Sequence, residues 1–345
     1  MRRLWGWVLI VGFWLTGCAF WGPSPRSMPA PSSDDGTRPQ GRLQLIVFYD
    51  DEKSPDVRGD LALLVKEKDR VTALSPNWYR VAPDGSVEDR SHPVTWEVAR
   101  QAQIPLMPLV TNKEGKDSVL LHPDRQEAAV ESLMAKVDEG GGLMQGLILD
   151  FELLDPASRE ALTAFAERLA RALHSRGKKL GVAVIPASVD TEGSSPYDYP
   201  ALAQVADRLI LMTYDQHGRT SAPGPVASLS WVEGRLNYAL QKGVPPEKID
   251  LGVATYGYRW SGGKGEDLPM KAAKALQPAP SRDADESPHF TYRDKGREWA
   301  VWYEDEQSAR HKVALAREKG LLGVAVWRLG YEDEAFWAML RREIP

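Results

Sequence analysis

Eight short apolar runs alternate with eight amphipathic segments between Leu43 and Arg342, and few folds satisfy that order. The strand candidates are Leu43–Tyr49, Val71–Ser75, Pro105–Val110, Gln145–Phe151, Lys179–Ile185, Arg208–Thr213, Ile249–Ala254 and Leu321–Trp327. Helix candidates lie near Asp56–Asp69, Pro93–Gln103, Pro123–Glu139, Pro156–Arg176, Tyr197–Ala206, Ser228–Lys242 and Asp305–Lys319, and Glu332–Arg342 closes the chain. Several begin at Pro or Asp and stop at Gly, as helix-end chemistry favours. The count is that of a closed (β/α)8 TIM barrel. An open doubly wound sheet is the alternative, but no Gly-rich phosphate loop follows the first strand.

One interval breaks the rhythm. More than forty residues, from about Tyr258 to Val301, separate strand seven from strand eight. They contain Ser261-Gly262-Gly263, a helix-like Pro269–Leu276, and two strand-like runs, Pro288–Tyr292 and Glu298–Tyr303, about an Asp294-Lys295-Gly296 turn. This reads as a small α+β insertion between strand 7 and strand 8, on the face where barrels carry their chemistry.

The first 41 residues are of another kind. Arg2 and Arg3 precede an apolar stretch, Leu4 to Leu15, that is short for a bilayer span. Leu15-Thr16-Gly17-Cys18 follows and resembles a bacterial lipobox, which implies a signal peptide over 1–17 and a lipid on Cys18. From 18 to 41, prolines alternate with Ser and Gly without hydrophobic periodicity, as in a flexible tether. The barrel would then occupy 42–345, with 258–301 as its insertion. Cys18 is the chain's single cysteine, so no intramolecular disulfide is available. The expected location is the outer face of the cytoplasmic membrane, in either a Gram-positive or a Gram-negative envelope.

The strand Gly146-Leu147-Ile148-Leu149-Asp150-Phe151-Glu152 carries the strongest chemical signal. Leu147, Leu149 and Phe151 share one face, and Ile148, Asp150 and Glu152 the other. Burying a carboxylate without a partner costs several kcal/mol, roughly, so two acids on one face of an apolar strand need a reason. Paired carboxyls resist ionising together, which raises a pKa toward the range a general acid requires. Strand six ends in Met212-Thr213-Tyr214-Asp215, placing a phenol and a third carboxylate at the mouth. Strand eight ends in Trp327, a natural floor for a sugar ring. Asn112, Tyr49 and Trp78 are further candidate substrate contacts.

Together these motifs resemble glycoside hydrolase family 18. Its strand-four pattern Asp-x-x-Asp-x-Asp-x-Glu aligns with Gln145 to Glu152, its Met-x-Tyr-Asp with Met212 to Asp215, and its strand-eight Trp with Trp327. The likeness covers about Leu43 to the C-terminus and is strongest to bacterial spore-germination and cortex-lytic enzymes. That branch carries segments like Ser75-Pro76-Asn77-Trp78-Tyr79, Ala254-Thr255-Tyr256-Gly257-Tyr258-Arg259-Trp260 and Trp327-Arg328-Leu329-Gly330-Tyr331. The resemblance implies substrate-assisted retaining hydrolysis of an N-acetylated glycan, an exception to the two-carboxylate scheme. Glu152 would protonate the glycosidic oxygen, and the substrate's acetamido oxygen would attack the anomeric carbon. Asp150 would orient and stabilise that acetamido group, and Tyr214 would hydrogen-bond its oxygen. Asp215 and Met212 would contact the sugar, and Trp327 would stack beneath it.

Two positions depart from the family pattern. Gln145 and Ile148 stand where acids or Asn are usual, and Ile148 shares Asp150's face one step deeper. In the family the deeper acid shares a proton with the middle Asp; here Glu152 would become Asp150's main partner. The departures keep two functions open: an N-acetylglucosaminidase acting on peptidoglycan or chitin, and a catalytically weakened glycan-binding lipoprotein. The six histidines are scattered without paired spacing, so neither a metal nor another cofactor is expected. A formal net charge of −5 gives no reason to invoke nucleic acid. Twelve Trp and eleven Tyr suit sugar stacking.

Overall fold

A computed structural model describes residues 41–113 and 117–345. The lipobox Cys18 and nearly all of the tether lie outside the described residues.

The barrel strands are β1 (Gln44–Tyr49), β2 (Ala73–Val81), β4 (Leu109–Asn112), β5 (Gly146–Asp150), β6 (Lys179–Val184), β7 (Arg208–Leu211), β8 (Ile249–Ala254) and β14 (Gly323–Trp327). They pair in parallel in that order, and β14 closes on β1, giving the eight-stranded TIM barrel expected from the alternation. A short strand, β3 (Val87–Asp89), adds antiparallel to the end of β2. Helices α1 (Val57–Lys66), α2 (Pro93–Ala102), α3 (Pro123–Gly140), α4 (Arg159–His174), α5 (Tyr199–Val205) and α6 (Leu229–Gln241) lie between successive strands. After the insertion come α8 (Glu306–Glu318) and the terminal α9 (Glu334–Glu343). Aspartates start several of them: Asp56, Asp198 and Asp333 each accept a first-turn N–H, and Asp305 forms a capping box with Ser308.

The insertion is a five-stranded antiparallel sheet in the order β10 (Lys264–Pro269), β9 (Tyr256–Ser261), β13 (Arg297–Tyr303), β12 (Pro288–Asp294), β11 (Ser281–Arg282), with α7 (Met270–Leu276) packed on it. It begins at Tyr256, two residues before the expected boundary. β9 follows β8 after Thr255 alone, so no loop signal marks the change from barrel to insertion.

Two strands differ most from their expected bounds. β2 continues from Ser75 through Val81, past a register shift between Asn77 and Tyr79. β4 is late: Leu106 makes only isolated bridges and regular pairing starts at Leu109.

The core has two shells. Leu147, Leu149 and Phe151 join the layer between strands and helices, while Ile46, Phe48, Ile148, Ile210, Met212 and Ala325 fill the lumen. The lumen's base is polar. Arg208 lies 3.3 Å from Asp250 and also hydrogen-bonds Gln44 across the barrel, all at the starts of their strands. Gly181 makes room there: a Cβ would come within 3.1 Å of both the Arg208 stem and Ile148.

Candidate active site

β5 delivers Asp150 and Glu152 to the mouth as the alternation requires. Asp150 is buried at 7% exposure and Glu152 is partly exposed. Their carboxyls stand close enough for each to act on the other's protonation. Burial first, and Glu152's charge second, hold Asp150 well above the usual carboxylate range. Glu152 is also raised, by burial and then by Asp215, while the Asp150 side chain pulls the other way. The pair as a whole therefore holds a proton more readily than two solvated carboxyls would. Asp150 Oδ1 has no hydrogen-bond partner among the described residues, and beneath it Ile148 is fully buried in the lumen.

Gln145 stands apart from this chemistry. It is exposed at the opposite end of the strand, where its amide donates to the Gly142 carbonyl at 2.7 Å. Of the two motif departures, only Ile148 reaches the acid pair's surroundings.

Tyr214 packs on the lumen cluster, and its phenol is held well above its ordinary pKa by burial and then by the charges of Asp150, Glu152 and Asp215. It stays a neutral donor. Asp215 has left-handed backbone (φ 60°) and accepts from Tyr256 at 2.5 Å and Tyr258 at 2.7 Å, both on the same carboxylate oxygen. Trp327 closes the floor 5.5 Å from the Phe48 ring, and the peptide bond after it is cis. Met212 lies in the lumen layer that packs against Tyr214 and Trp327.

Two expected substrate contacts, Tyr49 and Trp78, are corrected. Tyr49 is 0% exposed in the outer shell, where its hydroxyl donates to Asp60 at 3.3 Å. Trp78 is also 0% exposed, donates to Asp51 at 2.9 Å and lies against Trp96. Both side chains point away from the lumen. Asn112 is at the mouth, but both ends of its amide engage the Glu152 backbone: Glu152 N donates to Oδ1 at 3.0 Å and Nδ2 donates to Glu152 O at 2.9 Å. It holds the Glu152 backbone, and its second N–H and second lone pair remain for a ligand in the cavity it lines.

Two chambers open at the barrel mouth, one lined by Asp215 and Trp327 and the other by the acid pair. One of about 730 Å³ is lined by Asp50, Asp215, Tyr256, Tyr258, Trp327 and Arg328, among others. The second, about 560 Å³, is lined by Asn77, Arg80, Thr111, Asn112, Lys113, Asp150, Glu152 and Leu153. Asp50, Arg80 and Arg328 are lining residues that sequence reading did not single out. Tyr256 and Tyr258 had a legible signal, a phenol at every second position of a strand. Among the described residues, no group of three His, Cys, Asp or Glu is arranged to hold a metal.

A carboxyl pair with a neutral phenol and a Trp floor is a constellation suited to glycosidic bonds, and comparison with known proteins decides the family. The model of "Glycosyl hydrolases family 18" matches residues 109–332. The chain belongs to glycosyl hydrolases family 18. Within that family, it is 33% identical over 210 residues to an uncharacterized glycosylase, YvbX, of Bacillus subtilis, covering 57% of this chain and 60% of the relative. It is 27% identical over 271 residues to a cortical fragment-lytic enzyme of Bacillus anthracis, covering 70% and 61%. The chain thus spans less than two-thirds of the length of either. A chitinase structure from Chromobacterium violaceum superposes with a TM-score of 0.79 at 29% identity, covering 87% of this chain and 98% of that one.

Proposed function

We propose that this family 18 member hydrolyses β-linked N-acetylglucosamine glycan of the bacterial cell wall, with retention and with the substrate's acetamido group as nucleophile. One observation carries the reading: Asp150 and Glu152 stand together at the mouth of β5, where burial raises both and each acts on the other. Glu152 gives its proton to the glycosidic oxygen as that bond breaks. The acetamido oxygen attacks the anomeric carbon and forms an oxazolinium. Asp150 accepts the acetamido N–H and opposes its positive charge, and Tyr214 donates to the acetamido oxygen. Glu152, now a base, takes a proton from the water that opens the ring. Trp327 and the Tyr-held Asp215 fix the sugar.

Similarity to a cortical fragment-lytic enzyme favours peptidoglycan, and similarity to a chitinase structure keeps chito-oligosaccharides as a second substrate. Incubation with each, followed by mass analysis, tests the reading. Glu152→Gln should lower turnover by about 10²–10⁴. Saturable binding without products would instead support a glycan-binding protein, a reading that the apolar floor at Ile148 keeps in play.

We also propose that Cys18 is lipidated and that residues 18–41 tether the barrel to the outer face of the membrane. The basic pair, apolar run and Leu15-Thr16-Gly17-Cys18 support this. Fatty-acid labelling of cells should mark the chain, and Cys18→Ala should abolish the label; persistence of the label would refute the anchor.

A further inference from the structure

The two chambers differ in charge balance. In the Trp327 chamber, Lys53 pairs with Asp50 at 2.9 Å and Arg219 pairs with Asp267. Arg328 donates to the Asp50 carbonyl at 2.9 Å and lies over the Tyr331 ring. In the other chamber, the Arg80 guanidinium makes no hydrogen bond or ion pair with any described residue. Glu88 stands opposite it in the β2–β3 ladder but reaches Lys113, at 3.9 Å.

A local irregularity aims Arg80 inward. The register shift between Asn77 and Tyr79 lets Trp78 and Tyr79 both enter the outer shell. Asn77 and Arg80 are thereby left on the cleft side, three residues apart where strict alternation would put them on opposite faces. Strand irregularities that re-aim a side chain beside an active site are a recurrent device.

The direction of the substrate follows from the same geometry. In the proposed mechanism the sugar whose acetamido group meets Asp150 and Tyr214 lies over Trp327. Its bond oxygen is at Glu152, so the leaving sugar would continue into the chamber lined by Glu152 and Arg80.

We infer that Arg80, with Lys113 beside it, recognises a carboxylate carried by the leaving sugar, and so selects acidic N-acetylated glycan over neutral chitin-like chains. This rests on the glycosidase reading above. Two carboxylates have the required chemistry: the lactyl group of a peptide-free muramyl residue, and the acidic groups of a stem peptide. Arginine suits either, since its planar fork matches a carboxylate bidentately.

The test uses the full chain in detergent with four glycans: peptide-free peptidoglycan strands, the same strands as lactyl methyl esters, strands bearing stem peptides, and chito-oligosaccharides. Arg80→Ala should raise KM about tenfold on whichever carboxylate form is selected. It should leave kcat, and both constants on the ester and on chito-oligosaccharides, within about twofold. Arg80→Lys should recover part of the loss, and added salt should weaken the wild type on the acidic glycan only. Preference for peptide-free strands over their ester assigns the lactyl group; preference only for peptide-bearing strands assigns the stem. Equal losses on acidic and neutral glycans, or a wild type that prefers neither the free lactyl acid over its ester nor peptide-bearing over peptide-free strands, would overturn the inference while leaving the hydrolase reading intact. If no glycan is cleaved, equilibrium binding of the same four ligands decides: Arg80-dependent preference for the acidic form upholds this inference as the glycosidase reading falls, and its absence overturns both.

Discussion

The two ends of the barrel lumen solve the same problem in opposite ways. Each buries an aspartate on a strand facing the axis. At the base, Asp250 faces Arg208, and its pKa is pushed up to about 6 by burial, with the guanidinium opposing the rise. At the mouth, Asp150 faces a second carboxyl, and burial and charge both push it upward. The base uses its acid to complete an ion pair that plugs the barrel. The mouth leaves its acid without a cation, which favours the protonated form that the proposed reaction needs. Burial alone therefore does not distinguish a structural acid from a chemical one; the sign of its neighbour does.

The largest effect on that contrast should come from the base. Arg208→Met removes the cation and leaves a buried carboxylate, at a cost of about 3–5 kcal/mol in stability. Turnover per folded molecule should hold. The pH dependence has a definite sign. Because Asp250 binds its proton more tightly folded than unfolded, the wild type should lose this contribution to stability as pH rises from about 4 to about 6. Without Arg208, the loss should extend above pH 6. Thermal melts across pH 4–8 check both, and an unchanged melting profile would show that the pair does not matter.

A smaller effect should come from making the mouth resemble the base. Ile148→Asn gives Asp150 a hydrogen-bond donor from below, which favours its ionised form. An ionised Asp150 would then raise Glu152, moving the alkaline limb of the activity profile upward by about half a pH unit or more. Kinetics from pH 4 to 9 read this out; a superimposable profile and an equal kcat would make the deeper position irrelevant.

Much of the site was legible because its signals are local. Asp150 and Glu152 on one face follow from a two-residue period, and Tyr214, Asp215 and Trp327 follow from their places at strand ends. The failures share one cause. Barrel strands are buried on both faces, so apolar sequence does not say which face is lumen. Tyr49 lies one residue after the lumen-facing Phe48 and so belongs to the outer shell. Trp78 lies beyond the expected end of its strand, at an irregularity no residue type announces. Asn112 was placed at the right height, but its partner is backbone forty residues away.

By itself, then, the sequence determined the order of strands and helices, the insertion, and the acid pair, because periodicity and helix-end chemistry act over a few residues. Only the tertiary structure decided which side chains meet across the lumen: Arg208 with Asp250, Asn112 with the Glu152 backbone, Tyr256 and Tyr258 on one oxygen of Asp215, and Arg80 turned into the cleft. Those meetings depend on closure of the barrel and on one register shift, neither of which has a local signature.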